Sequence, residues 1–376
     1  MCGAEMKNNF LEKGTDLVFG PIYKISLLLR SFIPCGKVAL IADGENNFLA
    51  LKQIRAALKG FDCYCVIAGE REYASGLFSL PDDVRAAVAV GNGAFRAARY
   101  FCTLREAYCI VIPDGADLIS AFEKNVSLSM PTGKSRYPAD LPDAVYCDIA
   151  LITNFDGAYG NLCLCALSAL DLEIHSVFAG GDGSAPYRKL FEEAVKLNVD
   201  DKEEILSLSV RYALLQNRAE KRTAAELFCR LLQRKTKNSA GSAALFAFYY
   251  LTERYRNFFR TAVPRTYFVP DYARRIRLAA AYANENEREL FLKNKVPAVR
   301  RQDALLQTFA ESRSVFCRKA ESVAVYWDKV KSNLLSLGAS APRVEPYCAH
   351  EAFSATAELA DTLSVAALMR DFGLLR

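Results

Sequence analysis

A chain that opens as strand, helix, strand, helix and closes as helix upon helix predicts an α/β domain with a parallel sheet followed by an all-helical domain. Three observations carry this. Before residue 155, short apolar runs alternate with amphipathic segments, and after it the texture is helical almost throughout. The 376 residues also exceed what one hydrophobic core usually serves. The expected domains are 1–155 and 156–376.

In the first half, KVALIAD (37–43) is short, rich in branched apolar residues and ends at an acidic turn, so it reads as a buried parallel strand. NNFLALKQIRAALKGF follows with Leu49, Ile54, Ala57 and Leu58 on a helical period and Gly60 near its carboxyl end as a cap. CYCVIAG (63–69), VRAAVAVG (84–91), AYCIVIPD (107–114) and AVYCDIALI (144–152) supply four further strands. In the second half, amphipathic helices are expected over 157–178, 185–197, 201–217, 221–235, 241–260, 270–295, 301–335 and 350–372. Gly and Pro mark the breaks, among them Gly180-Gly181, Pro264, Pro270, Gly338 and Pro346.

Composition excludes several classes. With 52% apolar and 24% charged residues the chain is ordinary for a globular protein, and the net charge of +5 is spread without any basic block that would suggest nucleic-acid binding. The amino terminus, MCGAEMKNNFLEKG, lacks the apolar core of a signal peptide, and no stretch reads as the ~20 apolar residues that span a bilayer. Twelve cysteines sit singly in apolar runs or as the pairs Cys63/Cys65 and Cys163/Cys165. Those pairs lack the spacing of about two to four residues found in structural zinc sites, so packing accounts for them better than metal does. Free thiols without an export signal lead us to expect a cytoplasmic protein with neither nucleic-acid nor membrane partners.

VAVGNGAFRAARYF (88–101) is the most informative segment. A hydrophobic strand runs into Gly91-Asn92-Gly93-Ala94 and then directly into a helix. Small residues here let backbone N–H groups approach a ligand, and a helix amino terminus favours an anion such as a diphosphate. Asp43, at the end of an earlier strand, is suited to accept from a ribose or adenine. The cofactor-binding candidates are therefore Asp43, Gly91, Asn92, Gly93 and Ala94. The same pattern also suits a tight turn with no ligand, and it is not the G-x-G-x-x-G fingerprint, since Arg96 stands at the third glycine.

Several segments in order resemble the family of glycerol-1-phosphate dehydrogenases, 3-dehydroquinate synthases and iron-containing alcohol dehydrogenases. VAVGNGAFRAARYF is similar to that family's strand, Gly-x-Gly-Ser/Thr turn and helix, and IVIPDGAD to its Val-Pro-Thr-x-x-Ser loop. YPADLPDAVYCDIALI resembles its return to the last strand of the sheet, GAYGNLCLCALSALDLEI its Gly-x-Gly-Asp helix opening, and SAGSAALFAFYYL its Ser-Gly-Ser-Glu-His helix. AHEAFSATAELADTLSVAALMRDFGLLR resembles its closing helix and Leu-Gly-Leu end. The likeness covers residues 15–376 and is closest to the glycerol-1-phosphate dehydrogenases.

The resemblance implies a Rossmann-like nucleotide-binding domain and a helical domain, the dehydroquinate synthase-like fold, with a small-molecule ligand in the interdomain cleft. It also implies NAD(P) as cofactor and a divalent zinc or iron held by one Asp and two His, which polarises a substrate hydroxyl. Residue by residue the metal set does not carry over. The ligand Asp falls on Asn161 and the first His on Ala244, so these are vestigial positions and no metal ligand is expected. The second His would fall in FVPDYARR (268–275), which has none. The chain's two histidines, His175 and His350, suit structural or surface roles. The family's Asp and Lys after the glycine turn become Ala97 and Arg99, and its loop Thr and Ser become Asp114 and Asp117, whose carboxylates would repel a diphosphate.

These readings lead us to expect a ligand- or partner-binding protein without metal-dependent dehydrogenase activity. The alternative is an NAD(P)-dependent oxidoreductase acting on a small polyol or polyol phosphate with substitute ligands, for which Asp156, Asp271 and Glu173 are the conceivable donors. A homo-oligomer or a pairing with an active paralogue would suit the aromatic stretch FAFYYLTERYRNFF (246–259), which also reads as core. Arg254, Arg256, Arg260, Arg265, Arg274, Arg275 and Arg277 either grip a phosphate or carboxylate or form a solvated helix face, and their spacing over several faces favours the latter.

Overall fold

The computed structural model describes residues 7–10, 14–44, 47–67, 76–77, 79–130, 133–181, 183–218, 223–262, 273, 276–277, 281, 302–360, 362, 364–372 and 374. The chain forms two compact units: residues 1–155 with 202–218, and 156–201 with 219–376.

The first unit is built on a seven-stranded sheet. Its strands are β1 (Lys7–Phe10), β2 (Asp16–Phe19), β3 (Gly36–Ala42), β4 (Phe61–Ile67), β5 (Val84–Val90), β6 (Tyr108–Ile112) and, after a separate β7–β8 hairpin (Asn125–Met130, Gly133–Pro138), β9 (Ala144–Cys147). The order is β1-β2-β9-β6-β5-β3-β4; only β1 is antiparallel to its neighbour, and the other pairs are parallel. The central strands are buried on both faces, as continuous apolar runs such as VALIA and AAVAV require. Helices α1 (Ile25–Phe32), α2 (Phe48–Ala57), α3 (Ala94–Arg105) and the short α4 (Ile119–Phe122) accompany the sheet. Leu28 and Leu29 of α1 and Leu51 and Ile54 of α2 pack into one cluster with Val38, Leu40, Val88 and Ile110 of the strands.

The five strands read from the sequence are present. β1, β2 and the β7–β8 hairpin add to that reading. A second correction concerns Lys202–Arg218 (α7): the sequence put it in the helical domain, but it groups with the first unit, where it packs against α4.

The strand order positions the candidate turn. From β3 the chain goes outward to β4, then returns to β5 on the other side of β3. The carboxyl ends of β3 and β5 thus flank the point where the winding reverses, the usual ligand crevice of an open parallel sheet. Asp43 follows β3 and Gly91 follows β5, and Asp43 N–H donates to Val90 O at 3.4 Å.

In the second unit, helices α5 (Phe155–Ala179, its first residue counted with the sheet unit), α6 (Ser184–Lys196), α8 (Ala224–Thr236), α9 (Ala240–Thr261), α10 (Gln302–Ala324), α11 (Trp327–Ser336), α12 (Pro346–Leu359) and α13 (Val365–Asp371) are arranged around α9, which packs on α8, α10, α11 and α13. Thr223 and Ser239 cap α8 and α9 by accepting from Glu226 N–H and Ser242 N–H. Rings of Phe258, Phe259, Phe309, Phe316 and Phe372 meet at centroid distances of 5.1 to 6.2 Å, so the aromatic stretch is largely core. The expected helices 301–335 and 350–372 are each two helices, broken at Val325-Tyr326 and over 360–364. Most of the expected helix 270–295 lies outside the described residues. A further correction concerns α5, which is long and apolar enough by length and composition to cross a membrane. Two-thirds of its apolar window is buried within the protein, and Asp171 and His175 sit buried along it, as in a core helix.

Candidate functional site

Asp43, Gly91, Asn92, Gly93 and Ala94 come together, but the space over the turn is filled by the chain's own carboxylates. Gly91 has φ +87°, a conformation that favours glycine and lets β5 turn sharply into α3. Asp43 then lies over the turn: Gly93 N–H donates to Asp43 Oδ2 at 2.7 Å. A Cβ built on Gly91 would stand 2.2 Å from Asp43 Oδ1, and one on Gly93 would stand 2.5 Å from Asp43 Oδ2. Asp114 takes the next amide, with Asn92 N–H donating to its Oδ1 at 3.2 Å. Asn47 holds the two acids together, donating to Asp43 Oδ1 at 2.5 Å and to Asp114 Oδ2 at 3.1 Å.

Helix amino-terminal N–H groups of this kind would receive a phosphate in a nucleotide site. Burial pushes the Asp43 carboxyl above its ordinary range; the Asn47 amide and Gly93 N–H pull it down, and the nearby Asp114 pushes it up. A diphosphate would have to displace both carboxylates and sit beside their charge, so the turn in this arrangement does not fit one.

Asp114 and Asp117, alike in the sequence, have different roles. The Asp117 carboxylate accepts from Ile119 N–H, the first residue of α4, at 3.1 Å, while its backbone carbonyl accepts from Asn92 Nδ2 at 2.8 Å. Only Asp114 faces the turn. The Asn92 Oδ1 atom is buried with no partner among the described residues. Arg99 does not reach the turn at all. It is 1% exposed, and its guanidinium donates to the carbonyls of Asp140 (2.8 Å), Ala139 (3.0 Å), Glu123 (2.6 Å) and Ser120 (3.4 Å), tying α3 to two loops.

The second region belongs to the helical unit. Ala244 and Gly160, the residue before Asn161, lie where α5 and α9 touch through small residues. A Cβ on Gly160 would stand 2.5 Å from the Ala244 Cβ, and one on Gly157 would stand 2.8 Å from the Ala240 Cβ. Ala244 is 2% exposed, so its methyl is a helix contact with no room for an imidazole. The donor set does not fit a catalytic zinc or iron, which needs about three protein ligands around an open position. Among the described residues no three His, Cys, Asp or Glu side chains come together as a metal site.

The substitute donors are engaged elsewhere. Asp156 sits at the amino end of α9, where Ser239 Oγ donates to its Oδ2 at 3.2 Å and the absent side chain of Gly241 leaves it space. Glu173 is ion-paired with Arg188 and Lys319. Asp271 and most of 268–275 lie outside the described residues. His175 is buried in α5, and His350 is partly buried in α12.

Sequence reasoning missed a buried acid. Asp171 in α5 is fully buried, accepting from Tyr255 Oη at 2.7 Å and from Ala225 N–H at 3.2 Å. Burial pushes its carboxyl up to about 7, against the downward pull of Tyr255 and the α8 amides. An acid set among apolar residues, in SALDLEI, was the available signal.

No family model matches the sequence. No curated protein matches it either. Among solved structures, the sulfoacetaldehyde reductase of Bifidobacterium kashiwanohense in complex with NAD+ is similar over 94% of this chain and 93% of its own, with a TM-score of 0.50 and 12% identity. A glycerol dehydrogenase of Schizosaccharomyces pombe (16% identity, 88% and 93% covered, TM-score 0.48) and an iron-containing alcohol dehydrogenase of Thermotoga maritima (11%, 97% and 99%, 0.48) are also similar. At these identities the likeness defines the fold and not the activity. The fold is a Rossmann-like parallel sheet with a helical part, as in the dehydroquinate synthase-like and iron-containing alcohol dehydrogenase structures.

Proposed function

We propose that this chain is a diverged relative of the glycerol-1-phosphate dehydrogenases that has lost metal-dependent dehydrogenation and serves as a ligand- or partner-binding protein. The observation that carries the reading is the contact between Ala244 and Gly160, which turns a ligand position into helix packing. The carboxylates of Asp43 and Asp114 on the glycine turn support the same reading for the dinucleotide. NAD(P) and zinc or iron, which the resemblance implies, are therefore not part of the proposed function. The test is metal content of protein purified with zinc and iron supplied, together with polyol-dependent NAD(P)H formation. We expect substoichiometric metal and no turnover. Stoichiometric metal with turnover of a polyol or polyol phosphate would establish the oxidoreductase alternative instead. Pairing with a paralogue or with a second copy is part of this proposal, and size-exclusion of co-expressed chains would reveal it.

A further inference from the structure

Three arginines rise along the carboxyl half of α9, and their surroundings differ. Arg256 Nη1 pairs with Glu253 at 2.5 Å, and Arg260 Nη2 with Glu321 at 2.9 Å. Arg254 makes no hydrogen bond or ion pair among the described residues. Its guanidinium lies instead over two aromatic faces, 5.1 Å from the Tyr250 centroid and 5.9 Å from that of Phe353. Tyr250 is itself stacked on Phe228 (5.3 Å) and Phe246 (5.5 Å), so the platform under the cation is rigid. With no polar partner among the described residues, the Arg254 N–H fork is available to receive a carboxylate or phosphate by two parallel bonds.

Arg254 lines a cavity of 420 Å³ together with Tyr249, Tyr250, Asn257, Phe258 and Met369, among others. That size falls in the range of small-molecule sites. Its chemistry is that of an amphipathic ligand: one cation, an apolar wall, and Asn257 and Thr261 as further polar groups. The Tyr250 hydroxyl is buried with no partner among the described residues, a second unmet polar group in the same wall. Glu253, the one acid in the lining, is paired with Arg256. The cavity lies on a different flank of α9 from Ala244, which shares its face with Phe248, Leu251 and Tyr255 at helical spacing.

We propose that this cavity binds a small organic anion with an apolar or aromatic body, its acid group held by the Arg254 fork and its body against Tyr249, Phe258 and Met369. The proposal names a ligand class for the binding role proposed above. Its test uses neither metal nor dinucleotide, so either reading can fail alone.

The chain carries one tryptophan, Trp327, and its ring stands 5.0 Å from Tyr249 in the cavity wall, so its fluorescence reports occupancy. Full-length protein is titrated with benzoate, with phenyl phosphate, and with neutral benzamide. A saturable change with benzoate or phenyl phosphate, at least tenfold weaker with benzamide, is expected; which acid binds more tightly tells a carboxylate from a phosphate ligand. Arg254→Gln should weaken the better probe at least tenfold, and Arg254→Lys, which keeps charge without the fork, should give an intermediate loss. Arg260→Gln, on the same helix but paired with Glu321, should leave affinity unchanged. No saturable change with either acid, or equal affinity in the wild type and Arg254→Lys, would overturn the proposal.

Discussion

Gly160→Ala probes the contact on which the functional reading stands. At an ordinary helix position this change stabilises by about 0.5–1 kcal/mol, because alanine loses less backbone freedom than glycine. Here the new methyl would stand 2.5 Å from the Ala244 Cβ and 3.7 Å from a Leu334 methyl. Carbon atoms pack at about 3.5–4.0 Å, so α5 and α9 must part by roughly 1 Å. Overpacking of this kind costs about 1–3 kcal/mol. Set against the helix-propensity gain, the expected net loss is about 1–2 kcal/mol. Ala244→Gly in the same chain removes the opposing methyl, and the pair should recover about 1 kcal/mol or more beyond additivity. The assay is urea unfolding of the four proteins of the cycle, followed by Trp327 fluorescence. A Gly160→Ala protein as stable as the wild type, or a strictly additive cycle, would refute the contact.

Other consequences follow from the same geometry. Arg99→Met leaves the part-buried carbonyls of Ser120, Glu123, Ala139 and Asp140 without this donor and should cost about 1–3 kcal/mol in urea unfolding; an unchanged midpoint would contradict the latch. Asp171 has a folded carboxyl raised to about 7 from an ordinary value of 3.8, so between these values the folded state holds a proton that the unfolded chain has lost. Its contribution to stability is full at low pH and falls by up to about 1.4 kcal/mol per pH unit as pH rises through the window. Asp171→Asn should flatten the stability profile between pH 4 and 7, and the same slope in both proteins would dismiss the assignment. The double variant Asp43→Ser/Asp114→Thr bares the amides of Asn92 and Gly93 and should bind inorganic pyrophosphate at least tenfold more tightly than the wild type by calorimetry. No gain would mean the acids do not guard the turn.

The strands were legible because a sheet buried on both faces demands unbroken apolar runs, and VALIA and AAVAV supply them. β2 has only Leu17, Val18 and Phe19 to announce it, and β7 and β8 alternate polar residues that resemble a loop. That α7 joins the sheet unit was beyond reach, since its amphipathic pattern fixes a buried face and not a partner. The turn residues were identified from Gly91-Asn92-Gly93 and a strand-end acid, but not what they would bind. Asp114 and Asp117 occupy one short loop, and only its path turns the first toward the amides of the glycine turn and the second toward Ile119 N–H. That Asn161 and Ala244 carry no carboxylate or imidazole could be read from the sequence. That Gly160 backs directly onto Ala244 could not, because a pairing 84 residues apart is a property of the helix crossing.

The central claim is that the glycine turn and the α5–α9 contact, where the family resemblance would place a dinucleotide and a metal, are occupied by this chain's own residues. Fluorescence titration of the wild-type protein with NADH and NADPH tests it most directly. No saturable binding of either is expected into the millimolar range, and micromolar binding of either would contradict the claim.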